Sequence, residues 1–384
     1  MAIVRKPFHI MIKPSGAGCN MACDYCYYLV KRRLYGHKAS TRMDNRVLRE
    51  FTRQYIQTQN GHEILFSWQG GEPTLMGIDF FRQALSCQEA FKRPGQTIVN
   101  SIQTNGMLLD DDWCAFLEEN NFLVGLSMDG PPEIHNIFRR TMNKAPTFNR
   151  VYDSLQRLKR YGVEFNILCV VSRANVEKAR EAYRFFTEEG ARFIQFIPAA
   201  VHPPVMNDTF GITAKEWGNF LCDVFDQWVC QDVGRIFVMN FEATLAGWCG
   251  VEQSICVYKP NCGQTLVLEH NGDVYACDFF VNPAHRLGNI MQTGLSSLAD
   301  SPSQAAFGDL KSETLPDTCR SCASLFICNG GCPADRIPTG KNNKAPKNYF
   351  CDGYRLFFRH VTPYMDKMVS MIKNNISVDQ VMAP

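Results

Sequence analysis

The chain has no long apolar run, no marked excess of charge of either sign and no internal repeat. No stretch of its 384 residues approaches the roughly 18 apolar residues that a membrane-spanning helix needs. The N-terminal segment MAIVRKPFHIMIKPSG lacks the apolar core of a secretory signal peptide, so we expect a cytoplasmic chain. Its 40 basic and 38 acidic side chains nearly balance, which gives no reason to expect nucleic acid or a membrane surface as the main partner.

Cysteine, in contrast, is abundant, and its 17 copies are clustered rather than scattered. A secreted disulfide framework is one interpretation, but disulfide-dense chains are usually short and poor in core residues. Here 45% of the residues are hydrophobic, enough for a sizeable core. Clustered cysteines in a chain of this size without a signal peptide more often bind metal.

The first 200 residues alternate short, mostly apolar runs with amphipathic stretches. The β-like runs are FHIMIK (8–13), ILFSW (64–68), TIVNSIQT (97–104), FLVGLSM (122–128), VEFNILCVV (163–171) and RFIQFI (192–197). The helical stretches include 44–57, 111–120, 148–162 and 176–190. Six such units predict an α/β fold with a parallel sheet, either an open barrel or a doubly wound sheet. In both folds the active site lies at the carboxyl ends of the strands.

The pattern changes after about residue 250, where strands shorten and cysteines become frequent. We expect one domain over 1–245, with a helical connector from about 205 that includes 213–230. A second domain over 246–384 would be held together by metal sites and end in a helix. Within it, TLVLEHNGDVYACDFF predicts a hairpin that turns at Asn271-Gly272.

Cys19, Cys23 and Cys26 directly follow the first predicted strand. Thiolates are soft ligands that suit zinc or an iron–sulfur cluster. A structural zinc site needs a fourth ligand, for which His37 is the nearest candidate. A four-iron cluster held by three thiolates instead leaves one iron open to bind another molecule. The spacing alone leaves both interpretations open.

Together with Tyr25, these cysteines form C-x3-C-x-Φ-C, which resembles the signature of the radical S-adenosylmethionine (SAM) enzymes. QGGEPTL (69–75), after the second strand, resembles the family motif that holds the amino group of SAM. The resemblance implies a partial (β/α)6 TIM-like barrel and a [4Fe–4S] cluster on the three cysteines. It also implies SAM contacts from Tyr25, Gln69, Gly71, Glu72, Ser127, Arg139 and Ala200, with Asn105 facing the same cavity. Alternatively, each of these residues only satisfies loop backbone at a strand end.

Eight further cysteines follow residue 250, with C-x2-C-x5-C-x3-C at their centre. They resemble the SPASM extension of radical SAM peptide-modifying enzymes, which carries two auxiliary [4Fe–4S] clusters. The family's connectivity implies one cluster on Cys256, Cys262, Cys277 and Cys332, and another on Cys319, Cys322, Cys328 and Cys351. A sequential pairing and two zinc ribbons remain alternatives.

The pair Cys277-Asp278, with the C-x5-C-x14-C spacing before it, resembles the anaerobic sulfatase-maturating enzymes. The resemblance implies oxidation of a cysteine or serine of a sulfatase to Cα-formylglycine, through hydrogen abstraction by a 5′-deoxyadenosyl radical. Asp278 would be the base that takes the proton of the substrate side chain, and we expect burial to raise its proton affinity. The implied partners are a sulfatase polypeptide and a one-electron reductant of flavodoxin or ferredoxin type, with the enzyme a monomer.

Three alternatives remain. The first is a radical SAM/SPASM maturase that installs thioether or carbon–carbon crosslinks in a precursor peptide. Such enzymes often add an N-terminal peptide-recognition domain, for which a first strand at residue 8 leaves no room. The second is a non-catalytic iron–sulfur electron carrier, which would not need the GGEP turn. The third is a zinc-dependent interaction module.

Overall fold

The computed structural model describes residues 7–28, 31, 34, 41–200, 209–337 and 346–382. His37 and the start of the predicted connector at about residue 205 lie outside these ranges. The strands are β1 (His9–Lys13), β2 (Glu63–Trp68), β3 (Thr97–Thr104), β4 (Leu123–Ser127), β5 (Phe165–Val171), β6 (Phe193–Pro198), β7 (Phe237–Val238), β8 (Thr265–Glu269), β9 (Asp273–Tyr275) and β10 (Arg286–Asn289).

The helices alternate with the first six strands and then dominate the rest of the chain. They are α1 (Asn45–Thr58), α2 (Ile78–Phe91), α3 (Asp111–Glu119), α4 (Pro132–Phe138), α5 (Phe148–Tyr161), α6 (Ala179–Glu188), α7 (Ala214–Gln231), α8 (Met239–Trp248), α9 (Leu295–Ala299), α10 (Pro302–Glu313), α11 (Asp317–Arg320), α12 (Leu325–Cys328) and α13 (Cys351–Lys373). Within the described ranges, none of them has both the length and the apolar character that a membrane crossing requires.

The six strands and five helices predicted from the sequence are confirmed, because local signals fix their ends. Asp44 caps α1 by accepting a hydrogen bond from the Val47 amide at 2.8 Å. Thr213 and Glu216 form a reciprocal capping box at the start of α7. Gly162 ends α5 in the left-handed region, at φ 73°, where glycine avoids the steric cost of a side chain.

The chain divides into two compact units. The first unit consists of Met1–Ser127, Arg139–Phe165 and Gly263–Gly308, and the second of Met128–Phe138, Asn166–Cys262 and Asp309–Pro384. This division follows packing within the structure, and the predicted domain boundary at residue 245 remains a prediction.

The first unit contains the strand order β10-β9-β8-β1-β2-β3-β4. Strands β8, β1, β2, β3 and β4 run parallel, and β9 and β10 continue the sheet in antiparallel fashion. The hairpin predicted at Asn271-Gly272 is confirmed as the β8–β9 turn. Its parallel pairing with β1, in which Met11 lies opposite Val267, places the hairpin directly beside the strand that precedes the cysteine loop.

The second unit contains the parallel strands β5, β6 and β7 and a close crossing of α7 with α13. Gly218 and Gly353 lie at this crossing. A Cβ on Gly353 would lie 1.9 Å from the Ala214 carbonyl oxygen, so only glycine permits the two helices to approach so closely. This contact attaches the C-terminal helix, which begins at Cys351, to the helical part of the unit.

Candidate active site

The three N-terminal cysteines lie in the loop that follows β1, and all three are half-buried. The Met21 amide donates to Cys19 Sγ at 3.3 Å, and Asn105 Nδ2 donates to the same sulfur at 3.6 Å. Burial raises the pKa of the Cys19 thiol to about 11. A bound metal would therefore have to supply the positive charge that keeps this ligand a thiolate.

The Gly-Gly-Glu-Pro segment after β2 is bonded directly to the cysteine loop. The Gly71 amide donates to Gly16 O, and the Glu72 amide donates to Gly18 O, both at 2.8 Å. A Cβ on Gly71 would lie only 2.0 Å from the Gly18 carbonyl oxygen. Glycine is required at position 71 because two backbone segments touch, so the motif fixes the shape of the cysteine loop.

We predict that Gly71→Ala displaces this loop and prevents assembly of the N-terminal cluster. Iron content should fall by about four atoms per chain, and SAM cleavage should fall by more than about tenfold. The measurements are iron analysis and deoxyadenosine formation under anaerobic conditions. Gly294→Ala is the matched control, since its Cβ would meet only Ser296 Oγ, at 4.0 Å. Full iron content in Gly71→Ala would contradict the prediction.

Glu72 is fully buried, and its carboxylate accepts hydrogen bonds from two neighbouring segments. Oε1 accepts from the Thr74 amide and hydroxyl and from Thr104 Oγ1, and Oε2 accepts from the Asn105 amide at 2.7 Å. Burial raises its pKa, although the hydrogen bonds oppose this shift. These contacts tie the motif to the end of β3. Its binding of the SAM amino group stays a prediction.

The remaining predicted SAM contacts lie at strand ends or in loops. Arg139 is buried, and its Nη1 donates to the Tyr25 hydroxyl at 2.9 Å. Ser127, at the end of β4, accepts from Gln103 Nε2 at 2.9 Å. Gln69 directly follows β2, and its amide donates to Ile12 O at 2.7 Å. Ala200 follows β6 in the second unit.

Asp278 lies shortly after the end of β9. It is buried, and its carboxylate accepts four side-chain hydrogen bonds. Lys13 Nζ and the Tyr27 hydroxyl donate to Oδ2, at 3.2 and 2.6 Å. The Tyr28 hydroxyl and Lys31 Nζ donate to Oδ1, at 2.5 and 3.4 Å. The carboxylate is thus joined to the cysteine loop, about 250 residues away in the chain.

The expectation that burial leaves Asp278 with a raised proton affinity was wrong. Burial does raise its pKa, but the charges of Lys13 and Lys31 and the two tyrosine hydroxyls lower it by more. The net result is a pKa well below the ordinary range of an aspartate. Asp278 is therefore a carboxylate at neutral pH, and the same donors keep it a weak base until one of them withdraws.

The C-terminal cysteines fall into two groups within the second unit. The thiols of Cys319, Cys322 and Cys351 lie close enough to Cys328 to add to the pKa increase that burial causes there, to about 11. The other group surrounds the buried ammonium of Lys311, which donates to Cys256 O at 3.1 Å. Cys256, Cys262 and Cys332 are its neighbouring thiols. Cys277 belongs to the first unit.

The chemistry of these donors fits iron–sulfur clusters. All 17 cysteines lie within the described ranges, and none of them is in a disulfide bond. Within the same ranges, no three His, Cys, Asp or Glu side chains converge in the way that ligands of one metal ion do. Thiolates are soft ligands that suit iron–sulfur clusters, which take them at separate corners.

Two family models match the chain over the regions that carry these cysteines. The radical SAM superfamily model matches residues 14–186, and the SPASM iron-sulfur cluster-binding domain matches residues 256–323. A serine-type anaerobic sulfatase-maturating enzyme of Bacteroides thetaiotaomicron is 41% identical over 385 residues, covering 96% of this chain and 93% of that protein. The chain belongs to the anaerobic sulfatase-maturating enzymes.

Further members of this family agree with the assignment. A cysteine-type enzyme of Clostridium perfringens is 34% identical, covering 96% of this chain and all of that protein. The solved structure of native anSMEcpe with bound AdoMet has a TM-score of 0.87 and 33% identity, over 95% of this chain and 100% of that chain. The predicted α/β fold with radical SAM and SPASM domains is thereby confirmed.

Membership of the sulfatase-maturating enzymes also determines the cofactors. They are SAM and [4Fe–4S] clusters, of which three are typical of the family. The zinc interpretations fail, because the radical SAM model covers the N-terminal cysteines and the SPASM iron-sulfur model covers the C-terminal ones from 256 to 323. The crosslinking and electron-carrier alternatives are disfavoured, because relatives along almost the whole chain mature sulfatases.

Sequence analysis missed the side chains that surround Asp278. Lys13 is the last residue of β1 and only 1% exposed, and a lysine in an otherwise apolar strand was a usable signal. Tyr27 and Tyr28 directly follow the last cysteine of the first motif. Lys31 and Lys311 gave no comparable signal, since a single lysine in a helical or loop segment is usually solvent-exposed.

Proposed function

We propose that this chain oxidises a cysteine or serine side chain of a sulfatase to Cα-formylglycine. The observation that carries the proposal is the contact between Asp278 and the segment that follows the cysteine motif, through Tyr28 at 2.5 Å. It joins a carboxylate that is ionised at neutral pH to the loop expected to hold the radical-forming cluster. When bound, SAM and its cluster supply a 5′-deoxyadenosyl radical, which takes a hydrogen atom from Cβ of the target residue.

The protein residues then have separate tasks. Cys19, Cys23 and Cys26 would hold the cluster and leave one iron for SAM. Asp278 would take the proton of the substrate thiol or hydroxyl, and its low pKa means that it begins the reaction as a carboxylate. Tyr25 and Arg139 would contact SAM, and their mutual hydrogen bond fixes both side chains beforehand.

The auxiliary clusters would accept the second electron. We propose the interleaved pairing, in which Cys319, Cys322, Cys328 and Cys351 hold one cluster, and Cys256, Cys262, Cys277 and Cys332 hold the other. The proximity of the first four thiols to one another supports it, as does the grouping of Cys256, Cys262 and Cys332 around Lys311. A sequential pairing would instead join Cys319 to Cys256 and Cys262.

Mass spectrometry of sulfatase-motif peptides tests the activity. The enzyme is incubated anaerobically with SAM, a reductant and a peptide that carries cysteine, serine or alanine at the target position. We expect a loss of about 2 mass units from a serine peptide, which gives the aldehyde directly, and about 18 from a cysteine peptide, whose thioaldehyde is hydrolysed by water to the same aldehyde with release of hydrogen sulfide. The alanine peptide should be unchanged. Absence of aldehyde from both peptides, with SAM cleavage intact, would refute the proposal.

We further propose a cytoplasmic monomer that receives electrons from a flavodoxin- or ferredoxin-type protein. Seventeen cysteines outside disulfide bonds support a reducing compartment. The solved structure of native anSMEcpe with bound AdoMet and Cp18Cys peptide supports a peptide as the substrate. Its match to this chain has a TM-score of 0.87 over 97% of the residues. Sedimentation analysis and reduction assays with each carrier test the two remaining points.

A further inference from the structure

We propose that Lys31 is a positioning residue that holds Asp278 in its reactive orientation, a role that rests on the proposed function of Asp278. Its ammonium group donates both to the main-chain carbonyl of Asp278 and to the carboxylate Oδ1, the latter at 3.4 Å. Two bonds to one residue fix the backbone and the side chain together. Lys31 is 6% exposed, so water offers its ammonium little alternative.

Lys31 also holds the two tyrosines that bond the carboxylate. Its Nζ lies 4.6 Å from the ring centroid of Tyr27 and 4.1 Å from that of Tyr28. At these distances a buried cation is attracted to the ring face. The hydroxyls of both rings donate to Asp278. One ammonium group therefore organises the carboxylate directly and also through two of its other donors.

Lys13 differs from Lys31 in what it contacts. It donates to Oδ2 at 3.2 Å and lies 4.6 Å from the Tyr28 ring, and it is held rigidly as part of β1. Lys13 donates to the carboxylate of Asp278, whereas Lys31 donates to its main-chain carbonyl as well. Glu269 is a further charged group near Lys31, which makes the surroundings of the carboxylate ionic on several sides.

A carboxylate has about four lone-pair sites, and the four donors occupy them all. A substrate hydroxyl or thiol can approach only if one donor withdraws. The bond from Lys31 to Oδ1 is the longest of the four. Because Lys31 keeps its bond to the main-chain carbonyl, it can release Oδ1 without releasing Asp278.

Lys31→Met tests this role, because methionine keeps the length of the side chain and removes the charge. The assay measures aldehyde formed per deoxyadenosine formed, together with iron content. We expect the ratio to fall about tenfold or more while deoxyadenosine formation stays within about twofold of the parent enzyme. Lys31→Arg keeps the charge and should recover most of the ratio. Lys92→Met is the control, since Lys92 lies on the surface and pairs with exposed Glu89 at 3.2 Å.

An unchanged ratio in Lys31→Met would overturn the proposal. So would a parallel fall in iron content, deoxyadenosine and aldehyde, because that pattern marks general structural damage rather than a misplaced carboxylate. The parent enzyme provides the separate test of the proposed function. If the parent forms no aldehyde from the cysteine or the serine peptide, the function fails independently of Lys31.

Discussion

Replacement of Cys23 by alanine is expected to abolish deoxyadenosine formation. Three thiolates bind three irons of a four-iron cluster and leave the fourth iron for the amino acid part of SAM. Removing one leaves a second iron without a protein ligand, and the half-buried loop contains no other cysteine to replace it. The expected loss is at least about a thousandfold, down to the background of the assay.

The experiment uses enzyme reconstituted anaerobically with iron and sulfide. Iron content should fall from about twelve to about eight atoms per chain, since the two auxiliary clusters do not depend on Cys23. Cys230→Ala is the matched control, because this cysteine is exposed on α7 and belongs to neither motif. Deoxyadenosine formation above a tenth of the parent rate in Cys23→Ala would contradict the assignment.

The sequence predicted the parts of the fold that local signals determine. The strands at 97–104 and 165–171 are apolar runs with strong β propensity, and the structure places them within two residues of the prediction. The cysteine motif and the Gly-Gly-Glu-Pro motif were found because their spacing is local. Their contact through Gly18 and Gly71 follows from two adjacent parallel strands, β1 and β2, whose carboxyl ends meet at one edge.

The sequence could not predict pairings that depend on distant segments. The parallel contact of β8 with β1 joins residues more than 250 positions apart, and neither strand carries a signal for its partner. The surroundings of Asp278 depend on this pairing, because Lys13 ends β1. Burial alone could be guessed from the apolar residues after Asp278. No pattern in the sequence placed the two lysines beside Asp278, and their charges outweigh the effect of burial on its pKa.

Glu72 shows the same limit in a motif that was recognised. The sequence identified the residue and implied a ligand contact from the family. The structure adds four hydrogen bonds inside the protein, from Thr74, Thr104 and the Asn105 amide. Thr74 lies in the motif itself, but Thr104 and Asn105 lie at the end of β3, so spacing within the motif carries no information about these two donors. A motif thus identifies a functional residue but not the neighbouring residues that hold it in place.

Asp278→Asn is expected to separate SAM cleavage from aldehyde formation. Asparagine keeps the shape of the side chain, but it cannot accept the substrate proton at neutral pH. Loss of a positioned base usually lowers a rate by about a hundredfold to ten-thousandfold, and we expect aldehyde formation to fall by that amount. Deoxyadenosine formation should persist, because the cysteine loop is bonded to Asp278 through Tyr28 and Lys31 rather than through the cysteines.

The substitution also removes the negative charge that faces Lys13 and Lys31, both of them buried. Removing the carboxylate that pairs with two buried ammonium groups costs about 3–5 kcal/mol of stability, so the melting temperature should fall. Iron content and deoxyadenosine formation then report whether the folded enzyme remains. Asp79→Asn is the control, since Asp79 is exposed and pairs with Arg82 on the surface.

The two substrates give the sharpest form of the test. A cysteine thiol has a pKa of about 8.5 and loses its proton more readily than a serine hydroxyl does. If Asp278 acts as the base, Asp278→Asn should therefore impair the serine peptide more than the cysteine peptide. Equal aldehyde yields from the parent and the variant would remove the base assignment. An equal loss with both peptides would instead mean that the variant misplaces the substrate, because a missing proton acceptor must affect the less acidic group more.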